Sequence, residues 1–300
     1  MKARGFLKMQ NSLIQFSGEL AAIVERAGQS VVAVYGGGRF PSSGVHWQPG
    51  VLVTTEHSLR RDEDIKVGLP DGRAVPAELA GRDPGSDLAV LKFDAGSMPA
   101  IASGAAARTG DLVLAVGRHR DIGVCASLGI VSVVGPAWNT WRGARIDPFI
   151  RLDLNLYPGC SGAAIMNGNG ETIGLATSLL SRIAPVAVPR ATVDQVLGEL
   201  LRRGYMARGY LGVGLQSVRL PEDFGEGGLI VLSVEKDSPA AQAGLVVGDI
   251  LIALDGHPVR DTRDVQNVLS GGNIGKAVSA SILRGGARSD VKLTVGEKGK

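Results

Sequence analysis

Cysteine is almost missing from this chain of 300 residues: there are two, Cys125 and Cys160. Two thiols make no disulfide framework. With no CxxC pair and no Cys/His cluster they make no zinc site either. They read as free, mostly buried thiols. Long apolar runs are missing too. No stretch of about 18 apolar residues occurs, so no membrane-spanning helix is expected. The chain starts basic, with MKARG, but Gln10, Asn11, Gln15 and Glu19 break up any apolar core of the kind a secretory signal needs. On that ground either the protein stays in the cytoplasm, which is the expectation, or its export signal is absent from this chain. Excess charge is also lacking: the net value is +3. Aromatics make up only 4% and do not interleave with a Lys/Arg run, so nucleic acid is not an expected partner.

What is present is a globular composition, 44% hydrophobic and 20% charged, with length for about two domains at roughly 150 residues each. The 43 glycines among short aliphatic runs point to turn-dense β structure. Residues 12–27 place Leu13, Phe16, Leu20, Ile23, Val24 and Ala27 on one helical face, with a stop at Gly28. Short apolar runs follow at 31–35, 51–54, 88–93, 112–116, 130–134, 150–154 and 172–176. Asp71-Gly72, Asn167-Gly168 and Asn169-Gly170 punctuate them, the pattern of a barrel or sandwich. A helix is expected at 192–203, with Gly204 as its stop, and the domain boundary falls there. Beyond it the spacing predicts strands at 210–216 and 229–234 and a helix at 262–269.

One stretch carries chemistry. In NLYPGCSGAAI, Ser161 sits in a glycine-bracketed turn after Pro158. A serine hydroxyl is a weak nucleophile. It needs a base, a group that orients the base, and N–H donors for the oxyanion. The four histidines are His46, His57, His119 and His257. His57 follows an apolar strand in GVLVTTEHSL, and Asp87 opens the apolar run SDLAVLKF. The resulting order is His57, Asp87, Ser161. An α/β-hydrolase elbow orders its triad serine, acid, histidine and needs a helix after the serine. Here AAIMNGNGETIGLA reads strand, Asn-Gly turn, strand. That suits the order of a two-barrel serine protease. The HExxH motif of a metalloprotease is absent, and nothing asks for a metal or a cofactor.

Taken in order, VLVTTEHSL, DGRAVPAELAGRDPGSDLAVLKF, GDLVLAVG, SLGIVSVV and YPGCSGAAIMNGNGETIGLAT resemble the successive blocks of HtrA/Deg-type serine proteases. RGYLGVGLQ and DSPAAQAGLVVGDILIALDGHPV resemble the PDZ part of that family. The resemblance runs over roughly residues 28–297. It implies a mainly β fold: an N-terminal helical segment at 1–27, a trypsin-like double β-barrel at 28–204, and an α+β PDZ domain at 205–300. It implies a serine endopeptidase that cleaves unfolded polypeptides through an acyl-enzyme. His57 would be the base, Asp87 its orienting acid and Ser161 the nucleophile. The N–H groups of Gly159 and Ser161 would form the oxyanion hole, and Leu156 would line the primary pocket. In the PDZ part Tyr210, Leu211, Gly212 and Val213 resemble the carboxylate-binding loop, with Val265 and Leu269 touching the last residue of an apolar C-terminus. Family members often form homotrimers through N-terminal segments. The helix at 12–27 either does this or packs on the barrel. Three departures from the family pattern stand out: Cys160 and Ala163 inside the serine turn, and Glu56 before the histidine. They leave a second expectation, a poorly catalytic scaffold of the same fold.

Overall fold

The structure, a computed structural model, describes residues 2–38, 41–104, 106–221, 224, 227–270 and 273–298. The chain divides into two compact units, residues 1–140 with 146–206 and residues 141–145 with 207–300.

The first unit opens with helix α1 (Lys2–Gly28). Six strands follow: β1 (Val31–Tyr35), β2 (Ser42–Gln48), β3 (Val51–Thr55), β4 (Ile65–Gly68), β5 (Ala74–Asp83) and β6 (Leu88–Phe93). They close into a barrel in the order β1-β2-β3-β6-β5-β4. Next come β7 (Leu112–His119), β8 (Gly123–Gly135), the two-residue strands β9 (Trp138–Asn139) and β10 (Arg145–Ile146), then β11 (Phe149–Asp153), β12 (Ala164–Asn167), β13 (Thr172–Thr177) and β14 (Val186–Pro189). A second barrel closes in the order β11-β14-β13-β12-β7-β8. Helix α2 (Arg190–Arg203) ends the unit. The expected double barrel is therefore present.

Strand residues alternate between two cores. On β6, Ala89 and Leu91 point into the first barrel, while Leu88 and Val90 point into a core shared by both barrels. On β7, Val113 and Ala115 fill the second barrel, and Leu114 and Val116 join the shared core. Side chains of period two, buried on both faces, explain why these strands read as unbroken apolar runs. Each fully buried aliphatic side chain contributes about 2 kcal/mol in transfer terms. Helix α2 covers the shared core with Val193, Val196, Leu197 and Leu200. Trp47 on β2 donates its indole N–H to Asp194 at 2.6 Å, and the Arg190 guanidinium lies over the Trp47 ring. Gly204 takes a left-handed conformation at φ 79°, and its N–H caps the Leu200 carbonyl.

Helix α1 packs against the barrels through its C-terminal turns. Leu20, Ile23, Val24 and Ala27 join the shared core. Leu13 and Phe16, on the same stripe, remain 65% and 40% exposed.

The second unit holds β15 (Arg208–Tyr210), β16 (Val213–Val218), β17 (Gly228–Val234), α3 (Pro239–Gln242), β18 (Ile250–Leu254), β19 (His257–Pro258), α4 (Thr262–Ser270), β20 (Ala277–Arg284), β21 (Ala287–Thr294) and β22 (Gly296–Lys298). Its main sheet runs β16-β17-β18-β20-β21, which leaves β16 at an edge. The single strand expected at 210–216 is two strands. Gly212 at φ 77° breaks it, and a Cβ there would lie 2.2 Å from Ser238 Cβ, so only glycine fits. Among the described residues no helix is long and apolar enough to cross a membrane, and no cluster of His, Cys, Asp and Glu could hold a metal ion.

Candidate active site

His57, Asp87 and Ser161 come from three ends of strands. Strand β3 runs out into a single 3₁₀ turn, Glu56–Ser58, that carries His57. Asp87 sits immediately before β6, and Ser161 precedes β12. Asp87 is fully buried and adopts φ 58°. Aspartate tolerates this left-handed region better than most residues, yet it costs energy, and such backbone tends to gather at functional sites. The turn before it is held by Asp83, whose carboxylate accepts from the N–H groups of Gly85 and Ser86 and from the Ser86 hydroxyl.

Asp87 is saturated with donors. His57 Nδ1 lies 2.9 and 2.8 Å from its two oxygens, and the His57 N–H donates to Oδ1 at 3.0 Å. The Thr177 hydroxyl donates to Oδ2. A carboxylate held on Nδ1 makes that nitrogen the protonated one and leaves Nε2 as the basic atom. The other histidines have different partners or belong to the second unit. His46 is buried between the Pro99 carbonyl and the Gly50 N–H, His119 accepts from the Asp121 N–H, and His257 is exposed in the second unit.

Ser161 and His57 line one cleft of about 370 Å³, together with Gly159, Leu156, Tyr157 and Ser178. The Ser161 hydroxyl sits 3.2 Å from the Ser178 hydroxyl. Among the described residues no hydrogen bond joins it to His57. The turn itself is built by Pro158 and by Gly159 at φ 92°, with the Cys160 N–H closing onto the Tyr157 carbonyl at 2.9 Å. Among the described residues the N–H groups of Gly159 and Ser161 donate to no acceptor. Two free backbone donors beside a serine hydroxyl form a ready anion cradle.

Ser43 pins this loop. It lies on β2 and is fully buried. Its hydroxyl donates to the Gly159 carbonyl at 2.9 Å and accepts from the Arg118 N–H on β7 at 3.0 Å. Its N–H donates to the Ser161 carbonyl at 2.9 Å. The loop is thus tied to both barrels. Gly162, at φ 86°, passes so close to Ser43 that a Cβ would lie 2.1 Å from the Ser43 carbonyl oxygen. Ser43, Thr177 and Ser178 carry no motif of their own. A serine on a neighbouring strand is silent in sequence until pairing brings it to the loop.

The three departures find places. Ala163 is buried and lies outside the left-handed region, its N–H on the Cys160 carbonyl and its carbonyl taking the Ala176 N–H, so its methyl is accommodated. Glu56 pairs with Arg82 at 3.2 Å. Cys160 is 8% exposed, does not line the cleft, and places its sulfur 3.2 Å from that of Cys125.

In the second unit Leu211 is buried and Tyr210 and Val213 are half-buried around Gly212. The Leu211 and Gly212 carbonyls are taken by the N–H groups of Ala240 and Glu235, while among the described residues their own N–H groups donate to no acceptor. Val265 is buried in α4, and Leu269 packs against the unit's core. The edge strand β16 starts at this loop.

Comparison with known proteins agrees with this architecture. A trypsin-like peptidase domain matches residues 42–175 and a PDZ domain matches residues 209–295. A curated relative named "Probable periplasmic serine endoprotease DegP-like", from Pseudomonas fulva (strain 12-X), is 32% identical over 259 residues, 82% of this chain and 53% of the relative. The chain thus spans about half the length of the curated relatives it matches. The crystal structure of the serine endoprotease from Yersinia pestis is 31% identical, with TM-score 0.73 over 92% of this chain and 97% of that one. The HtrA-type protease AlgW with decapeptide is 29% identical, with TM-score 0.75 over 93% and 99%. The relatives' name corrects the cytoplasmic expectation, since it calls them periplasmic. A compartment is set by an address segment and not by the composition of the folded barrels, so the barrels and their charge balance carry no information about it. By identity and coverage, this chain belongs to the HtrA-type serine proteases, with a trypsin-like double β-barrel followed in sequence by a PDZ domain.

Proposed function

We propose that the chain is an active serine endopeptidase that cleaves unfolded polypeptides in the periplasm, the compartment its relatives are named for. One observation carries the reading. An imidazole fixed through Nδ1 by a buried carboxylate opens onto the same cleft as a serine flanked by two unengaged backbone N–H groups. Rotation about the Ser161 Cα–Cβ bond exchanges Ser178 for His57 Nε2. His57 then takes the hydroxyl proton as the oxygen attacks the scissile carbonyl. Asp87 holds the tautomer and stabilises the imidazolium. The Gly159 and Ser161 N–H groups receive the oxyanion, and His57 returns the proton to the leaving amine. Water repeats the sequence on the acyl-enzyme. Half-buried Leu156 gives the pocket an apolar wall suited to small aliphatic side chains.

The domain bounds, 28–204 for the protease part and 205–300 for the PDZ part, belong to the same reading. The PDZ part takes an apolar C-terminus as an added strand on β16. Its carboxylate meets the Leu211 and Gly212 N–H groups, and its last side chain meets Val265 and Leu269. The exposed Leu13 and Phe16 support a homotrimer assembled through α1.

A fluorophosphonate probe tests the enzyme reading. Wild type takes the label and Ser161→Ala does not. Absence of both labelling and casein cleavage between about pH 6 and 9 would overturn it in favour of the scaffold reading.

A further inference from the structure

The two cysteines are the only ones in 300 residues, and the fold brings them together. Cys125 stands on β8 opposite Gly117 of β7. Cys160 stands in the serine loop, with Gly159 on one side and Ser161 on the other. Their sulfurs are 3.2 Å apart and both thiols are free. A disulfide needs about 2.05 Å, so closing it asks for about 1.2 Å of approach. At Cys125 strand β8 is held in register by β7, and β11 pairs with it only farther along, from Ile130 to Gly135. Cys125 is fixed in the ladder with β7, so the approach draws on the serine loop, pulling against the Ser43 hydrogen bonds that set its two free N–H groups.

We infer that Cys125 and Cys160 form a reversible redox switch, in which a disulfide closed beside Ser161 displaces the oxyanion donors and lowers turnover. The switch rests on the reading of Ser161 as a nucleophile. It acts through the loop backbone, so Cys160 is a positioning residue.

The chemistry orders the two sulfurs. Cys125 is partly exposed and Cys160 is buried. The hydrogen bond from Cys160 brings the Cys125 thiol down to about 7, helped by the N–H groups of Gly117 and His119 and by the charge of Arg118, against its partial burial. The same hydrogen bond and burial push Cys160 up. Cys125 is therefore the thiolate that meets an oxidant, and Cys160 resolves it. With a hydroperoxide as oxidant, the Cys125 thiolate attacks the peroxide. An S–O bond forms, the O–O bond breaks, and the departing oxygen leaves protonated, as water from hydrogen peroxide. Cys160 then loses its proton and attacks the Cys125 sulfenic sulfur. The S–S bond forms, the S–O bond breaks, and hydroxide leaves with that proton as a second water. Two thiols supply two electrons, and one peroxide accepts them. An oxidising compartment favours the closed form.

Hydrogen peroxide applied to the full chain tests the switch. Intact mass should fall by two hydrogens and titratable thiols from two to none. The kcat on casein should drop by at least about tenfold, as expected for an oxyanion donor displaced by about 1 Å, and recover with dithiothreitol. Cys125→Ser, or Cys125→Ala should the serine variant fail to fold, should keep wild-type kcat under reducing conditions and lose the response. Three results would overturn the switch: both thiols still titrating after peroxide, a closed disulfide with unchanged kcat, or a Cys125 variant inactivated as fast as wild type. A reduced wild type with no activity would instead sink the peptidase reading, and the mass measurement would still show whether the disulfide closes.

Discussion

At the residue scale the site depends on a few buried hydrogen bonds whose partners are far apart in sequence. Asp87 shows the consequence most directly. Its carboxylate has no access to water, so water cannot replace any donor it loses and the buried charge is left less compensated. Asp87→Asn preserves the shape but lets the imidazole adopt the wrong tautomer. The expected result is a fall in kcat of about 10⁴ with thermal stability little changed, read by casein kinetics and calorimetry. Thr177→Val deletes one donor to the same carboxylate. It should cost about 1–3 kcal/mol of stability in urea unfolding and lower kcat while KM stays near wild type. Ser43→Ala removes the hydroxyl between the Gly159 carbonyl and the Arg118 N–H. About 1 kcal/mol of stability should go with it, and the loss in kcat should exceed the change in KM, because the oxyanion donors loosen. The triad was legible in the sequence because each member sits at the edge of an apolar run in the order of a two-barrel protease. Ser43 and Thr177 were not legible. A hydroxyl acquires a role only when the fold sets it against a partner far along the chain, 90 residues away for Thr177 and Asp87 and 116 for Ser43 and Gly159.

At the scale of elements, the apolar pattern located some strands to the residue and missed others. β1 and β6 are continuous aliphatic runs because both their faces are buried, and they stand where that pattern puts them. β2, with sequence SSGVHWQ, escaped notice. It is buried along most of its length, but its serines and histidine are satisfied by cross-chain hydrogen bonds that composition does not reveal. β5 carries Pro76 in its interior and alternates weakly, so it reads as a loop. Glycines at turns carry the most testable load. Gly162→Ala places a methyl 2.1 Å from the Ser43 carbonyl at a left-handed φ, and should yield a chain that folds poorly or loses probe labelling. Gly204→Ala brings its methyl only into ordinary contact with the Ala80 carbonyl oxygen, at 3.6 Å, and so meets the conformational penalty alone, about 1 kcal/mol, measurable in the unfolding midpoint.

At the scale of the whole molecule, the two compact units should respond differently to acid. In the second unit Asp249 is buried and bonded to Arg284 at 2.7 and 2.8 Å and to the Val246 N–H. The Arg284 hydrogen bond holds its carboxyl below the ordinary value of 3.8, against the opposing effect of burial. A depressed folded value means this pair stabilises the unit above that pH, and the contribution is lost as the pH falls through the folded value. Asp249→Asn should therefore lower stability at neutral pH and flatten the acid limb below about pH 4, followed by fluorescence of unfolding. Assembly belongs to this scale as well. If α1 joins copies of the chain, Phe16→Glu should reduce the mass seen by light scattering while probe labelling of Ser161 persists.

The sequence alone determined the class of the molecule and pointed to its candidate reacting groups. Period-two apolar runs, turn glycines and the order of base, acid and serine are local signals, written in neighbouring residues. Tertiary structure decided what depends on distance. It saturates Asp87 with donors, ties the serine loop to both barrels through Ser43, and leaves Leu13 and Phe16 of α1 exposed. It also brings Cys125 and Cys160 within 3.2 Å, where two thiols that read as inert become a pair beside the nucleophile. Contacts between residues far apart in the chain arise only when the barrels close, and no local pattern records them.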